Sequence, residues 1–402
     1  MNQSVLNIGT LGHIDHGKTS LTRAITNVWT DRHSESIKRN MTIKLGYADA
    51  IIYKCPKCEG QQMYTSSKKC PNCKSETQPI MRISLLDSPG HETLMATAIA
   101  GSSIIDAILF VIAANEPCPM QQTKEHLMII NILGIKNVII VQTKIDIVGK
   151  EAALLHEKQI REFVKGSVIE NAPIVPVMTN KGINVDVILK MISSMELPKR
   201  DLKASPLMYI VRSFDVNKPG DDATKIKGGV LGGSIIRGVF NQGDKIVIKP
   251  GIKQGSKSKR ETYEAIKTSI IDMSSGSEKL SSAQPGGLIG VSTEIDPSFA
   301  KADGLVGNVL GIEGMMPESV GRISIKYVKL NRSDIAVQSM AENEMMVLGI
   351  GTATLLGYVR KVKRDTIEFE LNKPVCTEKG AKVAVMRTIS KRWKLTGYGI
   401  VV

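Results

Sequence analysis

"GHIDHGKT", residues 12 to 19, decides the reading of this 402-residue chain. It fits G-x-x-x-x-G-K-[ST], with an apolar strand-like run, Val5 to Leu11, before it and a helix-like stretch, Lys18 to Val28, after it. That context makes a phosphate-binding loop: the glycines let backbone N–H groups face the phosphates, Lys18 reaches the β and γ oxygens, and the Thr19 hydroxyl holds magnesium. Asp15, His16, Gly17 and Ser20 complete the nucleotide-holding corner.

A loop of this kind chooses neither base nor reaction, so the strands that follow matter. "DSPGH", Asp87 to His91, closes a second strand. Asp87 is placed there to hold the magnesium through water, and Gly90 offers an N–H to the γ-phosphate. "TKID", Thr143 to Asp146, ends a third strand, where Asp146 can accept from the two N–H donors on guanine's edge and reject adenine. Further runs, near Ile43 to Tyr53, Arg82 to Asp87, Ala107 to Ala113, Val138 to Thr143 and Ile174 to Val177, read as strands of a mostly parallel, doubly wound α/β sheet. Residues 1 to 200 hold 11 glycines and residues 201 to 402 hold 24, a shift that predicts an α/β half followed by a β half. A linker falls at Leu197 to Pro206, and a second break near Gly314 to Pro317 separates two barrels built from segments such as "DKIVIKP" and "GRISIKYVKL". "KQGSKSKR" reads as a solvated hairpin tip.

Composition narrows the setting. With 42% hydrophobic and 23% charged residues, and no apolar run near the roughly 18 residues a span needs, the chain reads as soluble, with no membrane partner. Its start lacks the pattern of a secretory signal, which predicts a reducing, cytoplasmic setting. Lysine and arginine exceed aspartate and glutamate by 53 − 39 = 14, which favours a polyanion such as RNA, although a basic surface also serves solubility. Cys55-x-x-Cys58 and Cys70-x-x-Cys73 suit one tetrahedral structural zinc in a knuckle at 54–75, and four thiolates leave no open position for catalysis. Cys118 and Cys376 lack such partners.

"GHIDHGKTSL" with "DSPGHE" resembles the translational GTPases. The resemblance implies GTP and GDP as ligands with magnesium. It makes His91 the residue that orients the attacking water, and Thr42 in "RNMTIKLGY" the switch threonine that joins the magnesium. Ile14 and Met41 match the apolar pair around that water, although the family usually has isoleucine where Met41 stands. The knuckle between this switch and Asp87, with "KLGYADA", "IVRSFDVNKPG", "KGGVLGGSI", "IDPSFAKADGLVG" and "RWKLTGYG", is similar to the gamma-subunit family of the eukaryotic and archaeal translation initiation factor that carries initiator methionyl-tRNA. "NKPVCTEKG" and "EPCP" lean toward the eukaryotic branch, and the short chain suggests a compacted lineage or an archaeon-like length.

That family implies a G domain at 1–202 and β-barrels at 203–316 and 317–402. It implies hydrolysis-coupled delivery of initiator methionyl-tRNA to the small ribosomal subunit, within a heterotrimer with alpha and beta subunits and with GTPase-activating and nucleotide-exchange factors. The catalytic set becomes His91, Lys18 and Thr42; Tyr47 and Phe299 match positions near the aminoacylated end of the tRNA. Residues 318 to 402 carry 15 basic and 8 acidic side chains, a surplus that fits phosphate contacts. Two departures stand out: Thr143 replaces the asparagine that bonds guanine's ring nitrogen and ties the base loop to the phosphate loop, and Met178-Thr179 replaces a Ser-Ala pair behind the base. With Lys144 and Asp146 kept, this predicts weaker holding with selectivity intact. A specialised elongation factor and a nucleotide-binding scaffold that never hydrolyses remain as alternatives.

Overall fold

A computed structural model describes residues 2–30, 46–88, 104–218, 220, 222–254, 262–330, 332, 339–390 and 392–402. The chain divides into two compact units, the first holding most of residues 3–199 and the second residues 200–402.

The first unit is built on one sheet. Its strands are β1 (Leu6–Gly12), β2 (Gly46–Lys54), β3 (Tyr64–Thr65), β4 (Gln78–Asp87), β5 (Ala107–Ala113), β6 (Val138–Thr143) and β7 (Ile174–Pro176), in the order β3-β2-β4-β1-β5-β6-β7. The pairs from β4 through β1, β5 and β6 to β7 are parallel, and β2 is antiparallel to both β3 and β4. The central strands are apolar on both faces because both are covered. Leu109 and Val111 face a core with Leu21, Ile25, Ile188 and Ile192, whereas Ile108 and Phe110 face another with Ile130 and Ile160.

The helix after the phosphate loop spans Lys18–Thr26, shorter than the expected reach to Val28. Asn27 turns left-handed, with φ 60°, and caps the helix by donating its N–H to the Arg23 carbonyl. The Thr26 hydroxyl contacts the Thr22 and Val28 carbonyls, fixing the exit. β4 begins earlier than expected, at Gln78, because its extra residues pair with the stem of the cysteine hairpin, Lys54 opposite Gln78.

The second unit holds two closed barrels. In the first, the strands run around the ring as Lys245–Gln254, Val309–Gly311, Leu207–Phe214, Val230–Arg237, Ile289–Thr293 and Thr262–Ser275, and the last pairs back onto the first. The second ring runs Ser319–Lys329, Thr366–Cys376, Ala353–Lys363, Met345–Ile350, Lys382–Ile389 and Arg392–Val401. Phe240 and Ile248 lie in the first interior, Phe369 and Val385 in the second. Between the barrels, the Arg237 guanidinium grips both oxygens of Glu378 at 2.7 and 2.5 Å, Lys249 meets Glu318 at 3.1 Å, and Cys376 is buried with its thiol on the Pro317 carbonyl. The tip read from "KQGSKSKR" lies largely outside the described residues, between two strands that pair as a hairpin.

Candidate functional site

Four strand and helix ends of the first unit converge at the phosphate loop. β1 delivers the chain into the loop, Asp15 and Gly17 take the left-handed conformation with φ 58° and 88°, and Gly17 caps the helix that Lys18 begins. The Lys18 ammonium donates to the Gly12 and His13 carbonyls, at 3.0 and 2.6 Å. Burial pulls its pKa down to about 8, against the opposing charges of Asp87 and Asp15. A cation desolvated to this degree favours an incoming polyanion, which restores what water no longer supplies.

Asp87, at the end of β4, is fully buried and accepts hydroxyls from Thr10 at 2.9 Å, Thr19 at 2.6 Å and Thr30 at 2.8 Å. Burial raises its pKa, and the Thr19, Thr10 and Thr30 hydroxyls and Lys18 oppose the rise. A carboxylate and a threonine hydroxyl 2.6 Å apart at the foot of the loop form the hard oxygen set that suits magnesium. Ser88 closes the same corner by donating to the Thr10 carbonyl. Neither Thr10 nor Thr30 was in the expected set, and the sequence signal for Thr10 is a polar residue near the end of the otherwise mostly apolar strand "LNIGTLG".

Two further supports come from the helix Gln121–Leu133. His126 Nδ1 accepts the Gly12 N–H at 2.7 Å, and Gln122 Oε1 accepts the Ile14 N–H at 3.4 Å. Burial drives the His126 pKa down to about 3, so its ring is neutral and Nδ1 can accept. The signal in sequence is the four-residue spacing of Gln122 and His126, which puts both on one helix face. His16 lies against Val111 O and Glu116, and burial pulls its pKa down to about 4 against the opposing pull of both contacts.

The base loops sit at the carboxyl ends of β6 and β7. Thr143 is buried and donates its hydroxyl to the His16 carbonyl at 2.6 Å, so threonine keeps the tie to the phosphate loop. Lys144 is left-handed with φ 56°, and Asp146 is exposed. Met178 and Thr179 open a short turn closed by Met178–Ile183 backbone bonds. Ser20 lies half-buried in the first helical turn. Tyr47 is 40% exposed on β2, and Phe299 is 38% exposed on the short helix Pro297–Ala300 of the other unit. Met41, Thr42, Gly90 and His91 lie outside the described residues.

The cysteine hairpin leaves the end of β2. Cys55, Cys58, Cys70 and Cys73 place their sulfurs within 4.8 Å of one another, with Cys55–Cys73 at 3.4 Å and Cys58–Cys70 at 3.6 Å. A tetrahedron with Zn–S bonds of about 2.3 Å has edges of about 3.8 Å, so the set fits zinc. The second turn is fixed by Lys74 N–H to Cys70 O and by a left-handed Lys74, and the Ser75 hydroxyl and N–H bring the Cys73 pKa down to about 6.

Residues 3–198 match the model of the Elongation factor Tu GTP binding domain, and residues 323–401 match Initiation factor eIF2 gamma, C terminal. The chain is 49% identical to Translation initiation factor 2 subunit gamma of Methanococcus maripaludis, over 100% of this chain and 99% of that protein. It belongs to the gamma subunits of translation initiation factor 2. Relatives of the same name from Methanocaldococcus jannaschii and Pyrococcus horikoshii are 48% and 47% identical, each over 99% of this chain and 98% of the relative. Among solved structures, the elongation factor SelB from Methanococcus maripaludis with the GTP analogue GppNHp aligns at a TM-score of 0.73 and 21% identity, over 100% of this chain and 79% of that one. The bacterial selenocysteine-specific elongation factor EF-Sec gives 0.73 and 24%, over 99% of this chain, which spans 58% of that structure's length. At these identities the structures establish the fold alone. Membership makes the chain a translational GTPase of initiation, using GTP, GDP and magnesium, and disfavours the elongation-factor and scaffold alternatives. Among the described residues, no helix is long and apolar enough to cross a membrane.

Proposed function

We propose that the chain carries initiator methionyl-tRNA to the small ribosomal subunit in its GTP form, as the core of a cytoplasmic heterotrimer with alpha and beta subunits. Asp15, His16, Gly17, Lys18, Thr19 and Ser20 hold the phosphates, with Lys18 toward the β and γ oxygens. Thr19, Asp87 and Thr42 hold magnesium, which when bound neutralises those oxygens. Gly90 donates to the γ-phosphate, and His91, with Thr42 and Lys18, serves hydrolysis by orienting water within the fence of Ile14 and Met41. Thr143, Lys144 and Asp146 take the base, backed by Met178 and Thr179. Activating and exchange factors set the timing. The three domains run 1–202, 203–316 and 317–402, and zinc on the cysteines braces the hairpin without catalysis.

The observation that carries this reading is the buried Asp87 gathering Thr10, Thr19 and Thr30 beside Lys18. Tyr47 and Phe299 are exposed aromatics able to stack on a tRNA end, a contact of about 1–3 kcal/mol per base. Filter binding of initiator methionyl-tRNA with GTP and with GDP tests the coupling. The GTP form should bind more tightly, and equal affinity would remove the switch.

A further inference from the structure

The base pocket departs from its family at Thr143, and the structure fixes what that residue can still offer. A hydroxyl carries one hydrogen and two lone pairs. A carbonyl can only accept, so the 2.6 Å contact between Thr143 Oγ1 and His16 O commits that hydrogen to the phosphate loop. The contact is buried. The hydroxyl is left with lone pairs alone. Guanine's N7 and O6 are also acceptors, so Thr143 can serve neither.

Three neighbouring groups are engaged elsewhere. Gln142 directs Nε2 to Ala153 O and His156 Nδ1, both at 2.9 Å, which engages both amide hydrogens. The Met178 N–H is held by Ile183 O at 3.3 Å, and the His16 ring faces Val111 O and Glu116. Asp146, a carboxylate, addresses only the N1–H and N2–H donors of the opposite edge.

We infer that Thr143 is a specificity-determining residue that leaves N7 of the purine unread, so that this chain accepts guanine nucleotides altered at position 7 as readily as GTP. The inference rests on the proposed base pocket. It defines a ligand class: purine nucleotides with guanine's N1–H and N2–H edge intact, with or without the acceptor at position 7. Supplying a donor that does not depend on the His16 tie would restore the contact. Asparagine does so, since one amide hydrogen can take His16 O while the second faces N7.

Equilibrium binding of GTP and 7-deaza-GTP to the full chain tests this. The parent should bind the two within about twofold, and Thr143→Asn should prefer GTP by about 3- to 10-fold, the size of one neutral hydrogen bond. A parental preference for GTP of threefold or more overturns the inference, as does a Thr143→Asn protein that binds GTP and stays indifferent. Asp146→Asn with GTP and XTP separates this from failure of the pocket itself. A shift toward XTP keeps the pocket, so that the 7-deaza result judges Thr143 alone. An unchanged GTP preference removes the pocket and the inference together.

Discussion

The phosphate corner and the cysteine hairpin both gather ligand atoms in the first unit, but by opposite means. The four cysteines fall within residues 55–73, and two local turns bring their sulfurs together. Asp87 meets a threonine 77 residues away, another 68 away and a third 57 away, and only the order of strands in the sheet makes those meetings possible. A site made by local spacing should fail locally, and one made by topology should answer to residues far from the ligand.

The largest effect expected from this contrast is at Lys18. Lys18→Ala removes the buried cation, and GTP affinity should fall on the order of 10²-fold, read by equilibrium nucleotide binding. A loss below threefold would mean that the phosphates are held elsewhere. Thr10→Val is the sharper probe, because the Thr10 hydroxyl supports Asp87. The magnesium requirement for GTP binding should rise by about 3- to 10-fold, and an unchanged magnesium titration would reduce the threonine to packing.

At the hairpin, Cys55→Ser should abolish stoichiometric zinc by elemental analysis while leaving GTP affinity within about twofold. A large loss of nucleotide binding would break the contrast. The smallest effect belongs to Arg237 and Glu378, which are 141 residues apart yet 26% and 44% exposed. The bonds from Arg237 hold the Glu378 carboxyl below its usual range. For a depressed carboxylate the stabilisation is present above the ordinary value of about 4.3 and is lost as pH falls through the lowered one. Glu378→Gln should therefore cost below about 1 kcal/mol at pH 7 by denaturant titration, and nothing measurable at strongly acidic pH. A loss of several kcal/mol would show that distance in sequence outweighs burial.

What the sequence disclosed follows the same division. Strands β5 and β6 were legible to the residue, because runs such as "AILFVIA" are buried on both faces. The cysteine set was legible because spacing alone defines it. The end of the first helix was not: Asn27 stops it by a left-handed turn, and the apolar Val28 just beyond continues the helix-like pattern. Thr10, Thr30 and His126 escaped because their roles exist only after β1, β4 and the helix Gln121–Leu133 have packed. Thr143 was legible as a departure, but the direction of its one hydrogen was not.

The closed barrels have a consequence for how the chain meets copies of itself. The barrel rings close on themselves, whereas the sheet of the first unit ends at β7 on one side and at β2 with its partner β3 on the other. β7 is three residues long and ends on Pro176, which has no N–H to offer a neighbour. At the opposite side the guard is the cysteine hairpin, which folds the chain back onto β2 at Tyr53 and Lys54. Chelation or thiol oxidation would release that guard first, and the protein would answer by edge-to-edge aggregation before its nucleotide affinity changed.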